Sequence, residues 1–539
     1  MTPLSPTSSS NIPCGCSFVD AVSPTTFTPE DFSSDEQLMV QTAEQFCRNE
    51  VLRIQDRLDA QEEGLLVDLI RRAGQLGFCG PDTKEAYGGL GLPKNVAARM
   101  LEFLSLNASF SVTVGITSGI SQVCVSLFGS EQLRKKYLSA LTSGEQIGAY
   151  CLSEPNSGTD ALALSTRADR QGDKWILNGT KMWISNAKWA DQFVVMAKIG
   201  GEKVTAFVVE RGFPGVSISR EEHKLGLKGS STARVILENA EVPAENLLFE
   251  EGRGHVVAFN ALNLGRFKLA SMSIGPAREA ICQASAYAMD RKQFGQSIGN
   301  FGLVQQKFAQ MAARFFAAEA AIYRTGALID GAFEHYHAEQ SDEIAANQAG
   351  CEEYSVECSI CKVFATEMED LIIDECLQTY GGYGFTEEFP LARLYRDARV
   401  SRIYEGTNEI NRFFIGSRLL RKLANQPAPK ASQLFTQELL TLALGRQSSL
   451  NLESQMVLGG LADLAILAYA TQSARARAMQ NPAAYTDLAD LFENESNAKA
   501  AATYASLFGE SCNIPAPHTV DIAAIAERVY HRKGPIGVP

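Results

Sequence analysis

The sequence predicts an α+β protein that is mainly α: an N-terminal helical domain, a small antiparallel β-barrel or sandwich, a C-terminal helical bundle and an extra helical extension. Three observations carry this reading. Apolar residues recur at helical spacing through residues 34–147 and again from 251 to about 420. Between them, residues 148–250 break into short runs of strand-forming residues separated by glycine turns. Beyond Pro427-Ala428-Pro429, which reads as a linker, Val457, Leu461, Leu464 and Ala468 mark one more amphipathic helix. The expected boundaries are an arm over 1–33, a helical domain over 34–147, a β domain over 148–250, a helical catalytic domain over 251–425 and an extension over 426–539.

Each element has its own signal. Residues 1–33 are rich in Ser, Thr and Pro and read as a flexible or irregular arm. Leu38, Thr42 and Phe46 fall on one helical face. Gly80-Pro81 breaks the pattern, and Gly88-Gly89-Leu90-Gly91-Leu92-Pro93 is a glycine-rich turn. Without a preceding strand or a G-x-G-x-x-G order, that turn is a weak phosphate loop. In the β domain, Asn178-Gly179 between residues 174–177 and 180–185 reads as a hairpin turn, because both positions tolerate positive φ. A second turn begins at Gly200-Gly201. Further on, Val304, Phe308, Met311 and Phe315 step by three and four, and Pro276 is expected to kink its helix unless it lies in a first turn.

Composition excludes several classes. The formal charge of −13 disfavours general nucleic-acid binding and docking on an anionic membrane. No run of about 18 apolar residues predicts a transmembrane helix. The first cation is Arg48, which argues against a secretory signal or an Arg-rich transit peptide and fits a cytoplasmic setting. The 12 cysteines sit mostly in apolar contexts and fit reduced, buried thiols. Cys358 and Cys361 form a lone C-x-x-C without a second pair, so no metal site is expected.

The chemistry lies in short motifs. Arg402-Ile403-Tyr404-Glu405-Gly406-Thr407 sets a carboxylate among apolar residues, where burial raises its pKa toward that of a useful base. On spacing alone, an ordinary ion-paired or solvent-facing glutamate is the favoured reading. Tyr150-Cys151-Leu152-Ser153-Glu154-Pro155-Asn156-Ser157-Gly158-Thr159-Asp160 closely resembles a signature of the acyl-CoA dehydrogenase family. So do Asn178-Gly179-Thr180-Lys181-Met182-Trp183-Ile184-Ser185-Asn186 and Asp290-Arg291-Lys292-Gln293-Phe294-Gly295. Gln378-Thr379-Tyr380-Gly381-Gly382-Tyr383-Gly384-Phe385 and the stretch around Glu405 complete five motifs in the family's order, across roughly residues 35–420.

The resemblance implies roles. Glu405 matches the base that takes the pro-R α-proton of an acyl thioester while a β-hydride passes to flavin N5 of FAD, giving a trans-2-enoyl-CoA. Tyr150, Leu152 and Ser153 match positions lining the flavin ring, and Trp183 and Ser185 match the aromatic and hydroxyl beside it. Arg291, Phe294, Gln378 and Gly382 match residues reaching the FAD of a neighbouring subunit, which implies a homo-oligomer. Thr407 and Glu409 match positions facing the pyrophosphate, where an acid is tolerable only if it holds backbone donors. Thr159, Asn263 and Arg266 match positions near the CoA part of the substrate, and Gly406 leaves room for the thioester. Gly265 stands where some branches place their base. With Asn300-Phe301-Gly302-Leu303 and the extension, it resembles the very-long-chain branch. The implied electron acceptor is an electron-transfer flavoprotein. An oxygen-using acyl-CoA oxidase and an assembly partner that keeps the fold are the alternatives. An extension able to cover the apolar face that family members without it bury against partner subunits predicts a dimer.

Overall fold

The computed structural model describes residues 14–19, 26–423 and 434–537. The Pro427-Ala428-Pro429 linker lies outside them. Four layers follow one another along the chain, as the periodicity predicts. The N-terminal domain opens with the helix Ser34–Phe46, started by a reciprocal capping box between Ser33 and Glu36. Its buried face is Val40, Ala43 and Phe46. Leu38 is 63% exposed, which corrects the expected face. Four residues per step drift off a 3.6-residue turn, and the real stripe lies two positions further on. Helices Lys94–Leu104, Ala108–Gly115 and Gln122–Phe128 complete the inner layer, the last two joined by a π-helical stretch, Ile116–Ser121. The glycine-rich turn is structural. Its amides at Gly89, Leu90, Gly91 and Leu92 all donate to carbonyls of residues 80–84, leaving none of the four for a phosphate.

The β domain comprises β1 (Gly148–Cys151), β2 (Arg167–Gln171), β3 (Lys174–Ser185), β4 (Gln192–Ile199), β5 (Lys203–Glu210), β6 (Val216–Ile218), β7 (Thr232–Pro243) and β8 (Leu247–Leu248). They form one sheet in the order β6-β7-β3-β2-β4-β5-β8, with β1 beside β4. Most pairings are antiparallel, but β1 and β2 both run parallel to β4. Asn178-Gly179 is not a hairpin turn. Both residues lie inside β3, at a register shift against β7. Asn178 Oδ1 accepts the amide of Asn239, and a Cβ at Gly179 would lie 2.3 Å from Thr166 Oγ1. Asparagine and glycine here serve a bulge and a close approach. The true hairpin is six residues earlier, at Gly172-Asp173, where Gln171 pairs with Lys174 and Gly172 has φ +63°.

The catalytic-side helices are long: Gly254–Asp290, Gly302–Glu339 and Ser355–Tyr380, followed by Asn408–Leu423. Pro276 lies in the interior of the first, and the helix continues through it. Phe308, Met311 and Phe315 are buried on the second. The extension adds Phe435–Gly445, Gln455–Gln480, Pro482–Phe508 and Ile522–Arg532. Leu461, Leu464 and Ala468 are buried as expected, where Gln455–Gln480 packs on Gly302–Glu339 and Asn408–Leu423. The described parts of the arm are not loose. Phe18 is 1% exposed, its ring edge-on to Tyr469 of the extension, and Gln437 donates to the Phe18 carbonyl. Low average hydrophobicity hid one well-placed aromatic. By length and composition, Ala108–Phe128 and Gln455–Gln480 are apolar enough to cross a membrane, and most of each is buried inside this fold. Among the described residues no cluster of metal-ligating side chains occurs, and Cys358 and Cys361 are buried free thiols.

Candidate active site

Glu405 sits on the short connection before the helix Asn408–Leu423, with φ +56°. That backbone is strained for a residue with a side chain. It is held by three contacts to main-chain carbonyls. Arg266 Nε donates to the Glu405 carbonyl (3.3 Å). Lys362 Nζ and Asn411 Nδ2 donate to the Gly406 carbonyl (3.0 and 2.8 Å). Gly406 itself has φ +87°, which needs glycine. Both cations are thus bonded to the backbone rather than to the carboxylate. Glu405 Oε2 is buried and without a hydrogen-bond partner among the described residues. Burial pushes the carboxyl up to about 7, against the pull of Arg266 and Lys362. Lys362 is in turn brought down to about 8 by its own burial.

The carboxylate faces Gly265 on the helix Gly254–Asp290, where an added Cβ would lie 2.8 Å from Oε2. From there a narrow pocket runs between that helix and the π-helical stretch. Its walls include Ile120, Gly119, Ile116, Gly115, Val112, Leu269 and Met272. Its lining is mostly apolar, with Lys268 and Glu405 as the charged members, and the space between the walls is tight.

The β domain presents a second group of predicted residues. Tyr150 lies on β1, and its buried hydroxyl has no partner among the described residues. Burial pushes that hydroxyl well up, and Glu405 is among the charges felt there. The ends of β1 and β3 are tied together where Met182 N donates to the Ser153 carbonyl (2.9 Å). Beneath this junction, Lys181 Nζ bonds Glu154 (2.7 Å) and the Leu152 carbonyl (3.3 Å). Burial would raise Glu154, but Lys181 and the Thr166 and Ser165 donors outweigh it and bring it to about 2. Trp183 stands on top at a register shift of β3, with φ +57° and 57% exposure. Ser185 pairs with Thr232 at the strand end. Thr159 is exposed on the following loop.

Arg291, Phe294, Gln378 and Gly382 form a third group. Arg291 caps the helix Gly254–Asp290 and stacks over Tyr383 (5.8 Å), in a surface groove that also contains Gly382. Phe294 is 94% exposed with φ +52°. Gln378 and Gly382 are exposed, and a Cβ on Gly382 meets open space. This groove shares no residue with the Glu405 pocket. Thr407 Oγ1 accepts the Ile410 amide at the start of the last catalytic helix. Glu409 in its first turn is held below the usual carboxylate range by backbone and Thr407 hydrogen bonds. It therefore holds the donors that an acid near a phosphate needs.

Asn263 and Arg266, expected near the CoA portion, lie on the helix Gly254–Asp290. Both side chains are buried, Arg266 Nη1 donates to Asn263 Oδ1 (3.1 Å), and the guanidinium lies over Phe414. Arg266 reaches the Glu405 loop from this helix, and Asn263 holds the guanidinium from the same side. The motifs gave no sign of Lys362, Asn411 or the Lys181–Glu154 pair. Lys362 follows Cys361 in a helix that reads as uniform core, so nothing local marked it.

Fold and site together define a class, that of the flavin-dependent dehydrogenases with a helical–β–helical body. Family models for the N-terminal, middle and C-terminal domains of acyl-CoA dehydrogenases match residues 33–145, 149–240 and 252–420. The chain belongs to the acyl-CoA dehydrogenase family, an oxidoreductase family that uses FAD. A probable acyl-CoA dehydrogenase of Bacillus subtilis is 44% identical over 420 residues, 77% of this chain and 71% of that protein. The human mitochondrial very long-chain specific acyl-CoA dehydrogenase is 38% identical over 63% of this chain, a match spanning 51% of its own length. An acyl-CoA dehydrogenase from Bacillus anthracis solved with FAD superposes with TM-score 0.91 at 37% identity, over 98% of this chain and all of that one. Butyryl-CoA dehydrogenase of Megasphaera elsdenii superposes with TM-score 0.66 at 30% identity, over 72% of this chain and 99% of its own. The extension therefore has a counterpart in the first structure that the second lacks.

The residues present fit FAD. An exposed tryptophan on a strained bulge offers a face for a flat ring, next to the Ser153–Met182 junction. The unpartnered Tyr150 hydroxyl and the open surface at Gly382 leave a polar contact and a close backbone approach unfilled by protein.

Proposed function

We propose that this protein dehydrogenates fatty acyl-CoA thioesters to trans-2-enoyl-CoA, with Glu405 as the base. The observation that carries the reading is Glu405 Oε2, buried, unpaired and aimed at the mouth of an apolar channel. A carboxylate near pH 7 is matched to removing a proton from a weak carbon acid at neutral pH. Glu405 takes the α-proton, and its backbone N–H is a donor for the thioester oxygen as negative charge develops there. FAD, when bound, accepts the hydride from the β-carbon. Arg266, Lys362 and Asn411 hold the loop so that the carboxylate keeps its direction. Trp183, Ser153, Ser185, Tyr150 and Leu152 shape the ring side of the cofactor site, and Thr407 and Glu409 its pyrophosphate side. Thr159 and Gly406 adjoin the thioester and CoA.

Arg291, Phe294, Gln378 and Gly382 complete the FAD site of a second copy, in a dimer. The groove holding Arg291 and Gly382 is separate from the Glu405 pocket, and Phe294 is almost fully exposed in one chain. Electrons then pass to an electron-transfer flavoprotein. Anaerobic titration with acyl-CoAs of graded length, following flavin bleaching, tests the reading. Bleaching that air does not rapidly reverse is expected. Fast reoxidation in air identifies an oxidase, and no bleaching at any length identifies an assembly partner.

A further inference from the structure

We propose that Lys268 is a specificity-determining residue of the acyl channel, and that Asp82 is the positioning residue that keeps its ammonium clear of the chain. The inference rests on the proposed dehydrogenase reading and deepens it.

The channel's order can be read from its close approaches. A Cβ on Gly265 would meet Ile120 Cδ1 at 3.3 Å, one on Gly119 would meet Lys268 Cδ at 3.3 Å, and one on Gly115 would meet Met272 Sδ at 3.2 Å. The two helical walls therefore run antiparallel. Glu405 stands at the Gly265 level, Lys268 follows about one turn on, and Met272 about one turn beyond that. Seven residues of helix place Met272 about 10 Å from the base level. A short acyl chain stays near Gly265, whereas a longer one must pass Lys268.

Lys268 and Glu405 are the charged residues in a lining otherwise built of glycine, aliphatic residues, methionine and Tyr404. The lysine is buried, and its stem packs opposite Gly119. Its Nζ donates to Asp82 Oδ1 (3.1 Å) and the Ser118 carbonyl (3.4 Å). The other Asp82 oxygen takes Lys94 Nζ (2.9 Å), and Asp82 is itself buried. Burial would raise the Asp82 carboxyl, but Lys268 and Lys94 outweigh it and hold it well below its ordinary value. The methylene stem thus furnishes apolar wall while the charge is anchored to the carboxylate. Once Asp82 is neutralised, the Lys268 ammonium loses its counter-ion and keeps only the Ser118 carbonyl, on a side chain whose stem already lines the channel.

The test compares butyryl-, octanoyl- and palmitoyl-CoA on FAD-loaded enzyme. Asp82→Asn should raise KM for octanoyl- and palmitoyl-CoA by about tenfold or more, the range expected for an unpaired buried charge. Butyryl-CoA turnover and flavin content should stay near wild type. Lys268→Met keeps the stem and removes the charge, so the Asp82→Asn/Lys268→Met double variant should restore the long-chain KM. Equal loss at all chain lengths, or no rescue in the double variant, overturns the proposal. Should Asp82→Asn not fold, Lys268→Ala decides: widening the wall opposite Gly119 must change the palmitoyl-to-butyryl ratio of kcat/KM, and an unchanged ratio overturns the assignment. A wild-type flavin that no acyl-CoA bleaches instead removes the dehydrogenase reading, and this proposal with it.

Discussion

Two glutamates in this molecule meet opposite fates: Glu319 is fully buried, and Glu405 is half-buried with one carboxylate oxygen shielded from solvent. Glu319 lies at the centre of a charge cluster. Its oxygens accept from Arg99 (2.8 Å), Arg278 (2.7 Å) and Arg477 (2.8 Å). Arg477 comes from the extension and also grips Glu30 of the N-terminal arm. Burial pushes Glu319 up, but the three guanidiniums outweigh it and bring it down to about 2. Glu405 also has two cations nearby, but both donate to carbonyls of its loop, so burial prevails and the carboxyl rises to about 7. The number of neighbouring charges does not decide the outcome. What they are bonded to does. One arrangement clamps arm, extension and C-terminal helices together, and the other leaves a carboxylate oxygen unpaired.

The largest expected effect breaks the Glu405 side. Glu405→Gln should retain FAD and bind acyl-CoA, yet slow flavin reduction by ~10²–10⁴-fold, the usual scale for loss of a general base. Rapid-mixing absorbance under anaerobic conditions measures it, and near-normal reduction would place the base elsewhere. The same substitution should stabilise the protein. Glu405 has a raised folded pKa, so its stabilising contribution is full below its unfolded value and lost as pH rises through about 7. Glu405→Gln should therefore gain on the order of 2 kcal/mol at pH 8 and little at pH 5, by denaturant melts at both.

Breaking the other side should give the reverse. Glu319→Gln takes one carboxylate from three buried guanidiniums, which keep Glu102 and Glu30 as partners, and should destabilise the fold by about 1–3 kcal/mol at pH 7. Because its pKa is depressed, Glu319 contributes above its unfolded value, and that contribution is lost as pH falls toward about 2. The gap between wild type and variant should therefore narrow on acidification. Equal melting at pH 7 would show that the cluster is not the clamp described.

A smaller effect sharpens the comparison. Flavin reduction by free enzyme and substrate should increase with pH through about 7, as Glu405 deprotonates. Lys362→Met removes a cation that lowers the carboxyl, so the profile should move to higher pH. An unmoved profile would mean that Lys362 holds the loop without tuning the base. The smallest effect concerns the separate surface groove: Arg291→Ala should loosen FAD without altering the pH profile. A monomer that holds FAD tightly, seen by mass measurement, would refute the shared site.

Much of this was legible in the chain. Helical spacing around Val304–Phe315 and Val457–Ala468 located buried faces correctly, because burial of an apolar stripe is a local pattern with a fixed period. The five motifs pointed to the family and to Glu405. The hairpin at Asn178-Gly179 was misread because the dipeptide suits a bulge as well as a turn, and only the neighbouring strand, with Thr166 pressed against Gly179, distinguishes them. The packing of Phe18 in the arm was not legible, because it depends on Tyr469 and Gln437, more than 400 residues away.

The sequence by itself determined the order of layers and the family and singled out Glu405 as a candidate, because periodicity and contiguous motifs are properties of neighbouring residues. Only the tertiary structure decided what that carboxylate is. Its pKa, its free oxygen and its outlook on the channel depend on Arg266, Lys362 and Gly265, which lie between 43 and 140 positions away along the chain. The burial that raises a charge and the hydrogen bonds that tame it are set by whichever helices pack around it. No local pattern records whether a lysine will face a carboxylate or the carbonyl beside it.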